Sequence, residues 1–318
     1  MRGDRTLYSE ASREVRRVLE TVSPSVEMAS IDEAYIDVTG SQKLFGGDDA
    51  IASHIKKLIR ERTSLPCTIA VAPNKLVAKV ASDHAQPDGY LRFGAGEEEA
   101  FLAPLPIRKL PGLGPRTAET LACMGVHTLG ELTKADLDML RRRLGEHAES
   151  LQRRARGESD SAVIVSRVAK SIGRETTFVR DRREWESIEP VLVELMERAL
   201  VALRVDGLQA RTVTLKVRYA GFDTRTFSAT LERPTCVDRD VFEALKKLLP
   251  KAKRHGRAVR LVGISLSQLG RGPVQLGMFE DVQSERWERA LHEVDAIRVR
   301  HGFDTVRRGN ALRSKRLE

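Results

Sequence analysis

Between residues 104 and 115 the chain places six prolines and glycines in twelve positions: Pro104, Pro106, Pro111, Gly112, Gly114 and Pro115. Proline removes a backbone donor and fixes φ, and glycine loses more freedom on ordering than any other residue. No ordinary helix or strand crosses such a stretch, so the chain is expected to change character there, into short punctuated segments. A length of 318 residues leaves room for two or three domains. The 41% hydrophobic content is enough for ordinary cores.

Upstream of that stretch, helix and strand signals alternate. Val15, Val18, Leu19 and Val22 recur at helical spacing within 9–22, and Pro24 ends the run. Residues 26–30 and 34–38 are expected as two short strands around Ile31-Asp32-Glu33. An amphipathic helix is expected over 48–63, a buried strand over 67–72, and a helix over 75–83. The order is αββαβα. Downstream, short helices near 115–124, 128–133, 135–143 and 145–155 make a small all-helical unit, and 157–169 has few bulky groups, as a linker does. A third region follows: strand 171–178, helix 185–205, strands 211–219 and 224–231, helix 237–249 and strand 259–269. That βαββαβ order is a split βαβ sandwich with helices on one face, so the whole chain is of the α+β class. One more helix is expected over 284–300.

Charge is unevenly spread. The net charge is +9, and residues 169–270 alone carry 20 basic and 13 acidic side chains, while 1–92 balance at 13 each. With only 5% aromatics, a basic domain of this kind suits the backbone of a polyanion better than stacking on single-stranded bases. Cys67, Cys123 and Cys236 are too far apart for a zinc knuckle or a disulfide framework, which fits a reducing cytoplasm. No apolar run approaches a membrane span and Met1–Arg5 has no apolar signal region, so no membrane partner is expected.

Three motifs carry chemistry. Asp32 and Glu33 are adjacent carboxylates at a tight strand junction, where both can converge on a hard cation such as Mg²⁺. Lys75 and Lys79 lie four apart near the start of a helix, and a helix N-terminus with ammonium groups suits phosphate. In Leu110-Pro111-Gly112-Leu113-Gly114-Pro115-Arg116, two glycines before a helix let the backbone approach a phosphate closely.

The segments SIDEAYIDVTG (residues 30–40) and APNKLVAKVASDHAQPDG (residues 72–89) resemble the palm signatures of Y-family DNA polymerases, specifically the bacterial DNA polymerase IV (DinB-like) group. The resemblance implies that Asp32 is a catalytic metal ligand, Glu33 its acidic partner, and Lys79 the lysine that touches the incoming triphosphate. It implies two Mg²⁺ ions, primer–template DNA and deoxynucleoside triphosphates as substrates, and translesion synthesis by a monomer. The hairpin, with Gly112, Gly114 and Arg116, is similar to the family's helical thumb. Lys170–Phe178 resembles the opening of its little finger, with Arg174, Lys216 and Arg218 as candidate DNA contacts. Gln275, Leu276, Met278 and Phe279 resemble the peptide that docks replication proteins on the sliding clamp. The expected domains are a partial palm (1–92), a thumb with a helix-hairpin-helix (93–163), a linker (164–169), a little finger (170–270) and a tail with the clamp peptide (271–318).

The family begins with a strand bearing another catalytic Asp, followed by the fingers, and nothing in the chain matches that stretch. Residues 1–30 resemble the segment just upstream of SIDEAY, so the chain is expected to start inside the palm, with a gap flanked by unpaired strand edges. Two readings of function stand. One is a translesion DNA polymerase lacking its N-terminal segment. The other is a non-catalytic remnant or paralogue that binds DNA and the clamp.

Overall fold

The structure, a computed structural model, describes residues 3–166, 168–253, 256–271 and 282–306, without the side chains of 282–286 and 288. It divides into two compact units, Met1–Arg167 and Val168–Glu318.

The first unit opens with α1 (Arg5–Glu20), whose N-cap Asp4 accepts from Thr6 and Leu7 N–H. Strands β1 (Val26–Met28) and β2 (Ala34–Ile36) form an antiparallel hairpin. The helices α2 (Gln42–Phe45) and α3 (Asp48–Thr63) follow, then β3 (Ile69–Val71), α4 (Lys75–Ala85) and β4 (Tyr90–Arg92). The αββαβα order therefore gains a short helix and a fourth strand. Both additions span less than two turns or three residues of ladder, too short to show a period. β3 pairs in parallel with β4, and the hairpin stays separate, so four strands make two two-stranded sheets. Val18, Leu19, Val26, Ile51, Ile55 and Ile59 form the core between α1, α3 and these strands.

The chain continues through α5 (Glu98–Leu102), a single 3₁₀ turn at Ile107–Lys109, and α6 (Pro115–Cys123), α7 (Leu129–Lys134), α8 (Leu137–Leu144) and α9 (His147–Ala155). A capping box starts α7: Thr128 accepts from Glu131 N–H, and the Glu131 carboxylate accepts from the N–H groups of His127 and Thr128, which hold its pKa below the usual value. Leu76, Val77 and Val80 of α4 share one core with Leu102, Leu121, Leu132 and Leu151. The stretch after α9, which composition reads as linker, is pinned to this unit. Gly157 C=O accepts from Asn74 at 2.7 Å, Ala162 C=O from Lys75 at 3.1 Å, and Ile164 N–H donates to Glu27 at 2.8 Å. Its anchors are backbone groups, which leave no trace in hydrophobicity.

The second unit is β5 (Ser171–Arg182), α10 (Trp185–Val205), β6 (Gln209–Tyr219), β7 (Thr224–Thr235), α11 (Asp238–Lys253), β8 (Val259–Gly270) and α12 (Val282–His301). The four strands form one antiparallel sheet in the order β5-β8-β6-β7. Ile188, Leu192, Met196 and Leu200 of α10 pack with Val213, Leu215, Val262 and Ile264 of the sheet. β7 runs past the expected end at residue 231 and through Pro234, because an edge strand has one side on which no ladder donor is needed. α12 is tied to α10 and the start of α11 by buried charges. Arg204 meets Asp295 and Asp238 at 2.6 Å each, and Arg298 meets Glu197 at 3.1 Å.

Candidate active site and nucleic-acid interface

The turn between β1 and β2 is held by one hydroxyl. Ser30 Oγ accepts from the N–H groups of Asp32 and Glu33 and donates to Asp32 Oδ1 at 2.5 Å, while Ala29 N–H closes the turn onto Glu33 C=O. Both carboxylates are solvent-exposed. Across from them, Asn74 caps α4 by accepting from Val77 N–H, and Lys79 lies one turn in. Lys79 Nζ is 2.6 Å from Glu33 Oε1 and 2.9 Å from Asp83 Oδ1. Partial burial lowers the ammonium's pKa, but the bonds to Glu33 and Asp83 outweigh it and leave the pKa raised. Asp83 escaped the sequence reading, although its i,i+4 spacing from Lys79 is the signal that finds it.

Lys75 does not share that role. Its side chain is only 13% exposed, 2.5 Å from Glu27 Oε2, with its ammonium 4.9 Å from the Tyr35 ring centroid. Glu27 sits between Val26 and Met28 in a three-residue strand, 48 residues from Lys75, so nothing in the sequence marked it as the partner. Of the two lysines expected to meet phosphate, the structure leaves Lys79 beside the carboxylates and commits Lys75 to a buried ion pair.

The oxygen donors at the turn suit a hard divalent cation, and two carboxylates completed by water and substrate oxygens are enough for one Mg²⁺. They are too few for two. Among the described residues no group of three or more His, Cys, Asp or Glu side chains comes together as a metal site. Beside the turn, between the hairpin and the β3–β4 pair, lies a cavity of about 730 Å³, bordered by Asp32, Glu33 and Lys79 at one end.

In the hairpin, Gly112 takes φ +76°, a region that glycine reaches without strain, and Gly114 is the N-cap of α6 with Pro115 in its first turn. Arg154 of α9 braces the loop by donating to Pro111 C=O. Arg116 is exposed at the start of α6.

In the second unit, register sorts the expected DNA contacts. Lys216 stands opposite Gly263 and Thr226, and Arg218 opposite Thr224. They share the face away from the helices with Thr212, Thr214, Ser228 and Ser265, a row of hydroxyls that the motif search missed but the Thr/Ser alternation encodes. Lys216 is 2.7 Å from Glu175 on the same face. Arg174 stands opposite Ile264, a core residue, so it projects from the helix-bearing side of edge strand β5 and is not grouped with Lys216 and Arg218. Gln275, Leu276, Met278 and Phe279 lie outside the described residues.

Three family models match: the impB/mucB/samB family over residues 1–83, the IMS family HHH motif over 95–126, and the impB/mucB/samB family C-terminal domain over 169–278. The chain is 39% identical over 306 residues to a DNA polymerase IV of Desulfatibacillum aliphaticivorans, covering 95% of this chain and 77% of that one. It is 36% identical to a DNA polymerase IV of Dehalococcoides mccartyi strain CBDB1, covering 98% and 80%. A solved chimera of the Y-family DNA polymerases Dbh and Dpo4 superposes with a TM-score of 0.75 at 26% identity, covering 85% of this chain and 78% of that one.

Proposed function

Because this chain belongs to the Y-family DNA polymerases of the impB/mucB/samB family, we propose that it serves DNA polymerase IV-like translesion synthesis, extending a primer 3′ end from deoxynucleoside triphosphates. The observation that carries this reading is the exposed Asp32–Glu33 turn with the Lys79 ammonium 2.6 Å from Glu33. The pair would hold Mg²⁺, which supplies charge stabilisation at the attacking and leaving oxygens of phosphoryl transfer. The family's two-ion arrangement needs more oxygen ligands than Asp32 and Glu33 provide.

Lys79 has a defined part. Its ammonium pairs with Glu33 at 2.6 Å. With Asp32 and Glu33 holding a cation, the Lys79 ammonium would be placed to pair with the triphosphate. Duplex DNA would be held through phosphates, by the N–H groups around Gly112 and Gly114, by Arg116, and by Lys216 and Arg218 on the hydroxyl-lined face. Such contacts position a duplex without reading its sequence, which suits a polymerase that must accept altered template bases. The Gln275, Leu276, Met278 and Phe279 peptide would dock the sliding clamp.

That no third His, Cys, Asp or Glu side chain groups with Asp32 and Glu33 as a metal site among the described residues favours a second reading, a DNA- and clamp-binding chain without catalysis. Primer extension separates the two. With Mg²⁺ and matched DNA occupancy, residues 1–318 are expected to insert no nucleotide. A version extended by an upstream palm strand and fingers is expected to insert, and Asp32→Ala in it to abolish insertion. An extended version that binds primer–template but stays inert would establish the second reading.

A further inference from the structure

The turn that joins β6 to β7 carries an aromatic ring outward. Tyr219 N–H donates to Asp223 C=O at 2.8 Å and Phe222 N–H to Tyr219 C=O at 3.1 Å, which closes the chain reversal. Gly221 and Phe222 take φ +81° and +63°. Glycine reaches that region freely and asparagine or aspartate tolerate it, but a bulky side chain there is strained. Phe222 is also 66% exposed, while Phe178, Phe227 and Phe242 of the same unit pack in or against its core. Neither backbone preference nor burial accounts for a phenylalanine at this position. What holds the ring is Arg260, whose guanidinium lies 4.8 Å from its centroid. The surroundings are cationic. Arg225 and Arg257 share the Asp223 carboxylate, Arg260 meets Asp181 at 3.6 Å, and Arg218 donates to the Thr224 hydroxyl, so four guanidiniums face two carboxylates around the tip.

We propose that Phe222 is a stacking platform for one unpaired nucleobase of a single-stranded stretch of DNA, whose adjoining phosphates are held by the guanidiniums of the tip. An exposed flat ring gains most from another flat π-system laid against it, and every base presents one. The surplus of positive charge selects a polyanion over a neutral apolar partner. Inside a duplex both faces of a base are already stacked, so the ring takes a base only where the strand is unpaired. Arg218 links the tip to the hydroxyl-lined face. It lies on that face with Lys216 and reaches Thr224, two residues beyond Phe222. A strand running off a duplex held there passes the ring. The inference rests on the reading of this unit as a nucleic-acid binder, and it adds a contact with a base where the contacts assigned above go to phosphates.

The test titrates the 318-residue protein into a blunt duplex and into the same duplex carrying a short single-stranded overhang that contains 2-aminopurine. The overhang is expected to tighten binding roughly tenfold, and its 2-aminopurine fluorescence to be quenched on binding. Asparagine suits the left-handed backbone, so Phe222→Asn should stay folded with an unchanged or raised Tm. It should lose both effects and keep its affinity for the blunt duplex. Phe222→Trp should retain both effects, and an abasic overhang should gain nothing over the blunt end. Equal affinity for the two duplexes, or a gain that survives Phe222→Asn or removal of the bases, would overturn the proposal while leaving duplex binding in place. No binding of either duplex would overturn the underlying reading with it. Self-association in sedimentation that disappears in Phe222→Asn would also overturn the proposal, since the ring would then serve a contact between copies.

Discussion

Lys75 and Lys79 stand one helical turn apart on α4 and have different roles. Glu27 is 2% exposed and accepts from both Lys75 and the Ile164 N–H. Removing one partner of such a pair leaves the other charge buried and uncompensated. Glu27→Ala is therefore expected to cost about 3 kcal/mol, read by urea denaturation of the first unit. Lys79→Met, at a partly exposed site, should change stability by only about 0.5 kcal/mol. In an active, extended form it should raise the KM for nucleotide. The raised pKa of Lys79 fixes the sign of its pH response. Its stabilising pairs are complete below the ordinary lysine value of 10.5 and are lost only as pH climbs through the higher folded value. The Lys79 side-chain ¹³C shift should accordingly stay constant from pH 7 to 10. At this scale adjacency singled out Asp32 and Glu33 and helical spacing the Lys75–Lys79 pair, and the structure brings Lys79 to Glu33. The sequence could not separate Lys75 from Lys79, because the difference lies in Glu27, 48 residues away.

Strands and helices differ in what their sequences disclose. α3 and α10 match the expected bounds of 48–63 and 185–205, since long amphipathic patterns carry their own period. β5 runs four residues beyond the expected 178, through Val179, Arg180 and Asp181, which are exposed; an edge strand needs no apolar alternation to stay paired on one side. The same edge position explains Arg174, which period-two reasoning alone could not assign to a face. Lys216 and Arg218 lie on the open face, so Lys216→Ala with Arg218→Ala should lower the slope of log K against log salt for duplex binding by about 2. Arg174→Ala alone should leave that slope nearly unchanged. Fluorescence anisotropy across a salt series measures both, and equal losses from Arg174 and Lys216 would refute the assignment from register.

Across the whole molecule, composition and architecture agree: the segment with most of the excess positive charge is the one that forms the four-stranded sheet. The tail peptide is expected to act on its own. Leu276→Ala with Phe279→Ala should abolish clamp binding in a pull-down and leave duplex affinity as it was. The first unit's architecture was less legible than the second's. Its two sheets depend on three-residue strands whose pairing is set by contacts distant in sequence. The single core that joins α4 to the helices from α5 to α9 has a mechanical meaning. Close-packed side chains resist relative sliding, so the hairpin and the Lys79 end of α4 behave as two marks on one ruler. On the proposed reading, a duplex gripped at the first mark would present a constant number of base steps to the second, and advance along a template would go by letting go of one phosphate and catching its neighbour, a stride equal to the spacing of nucleotides, whatever base each one carries.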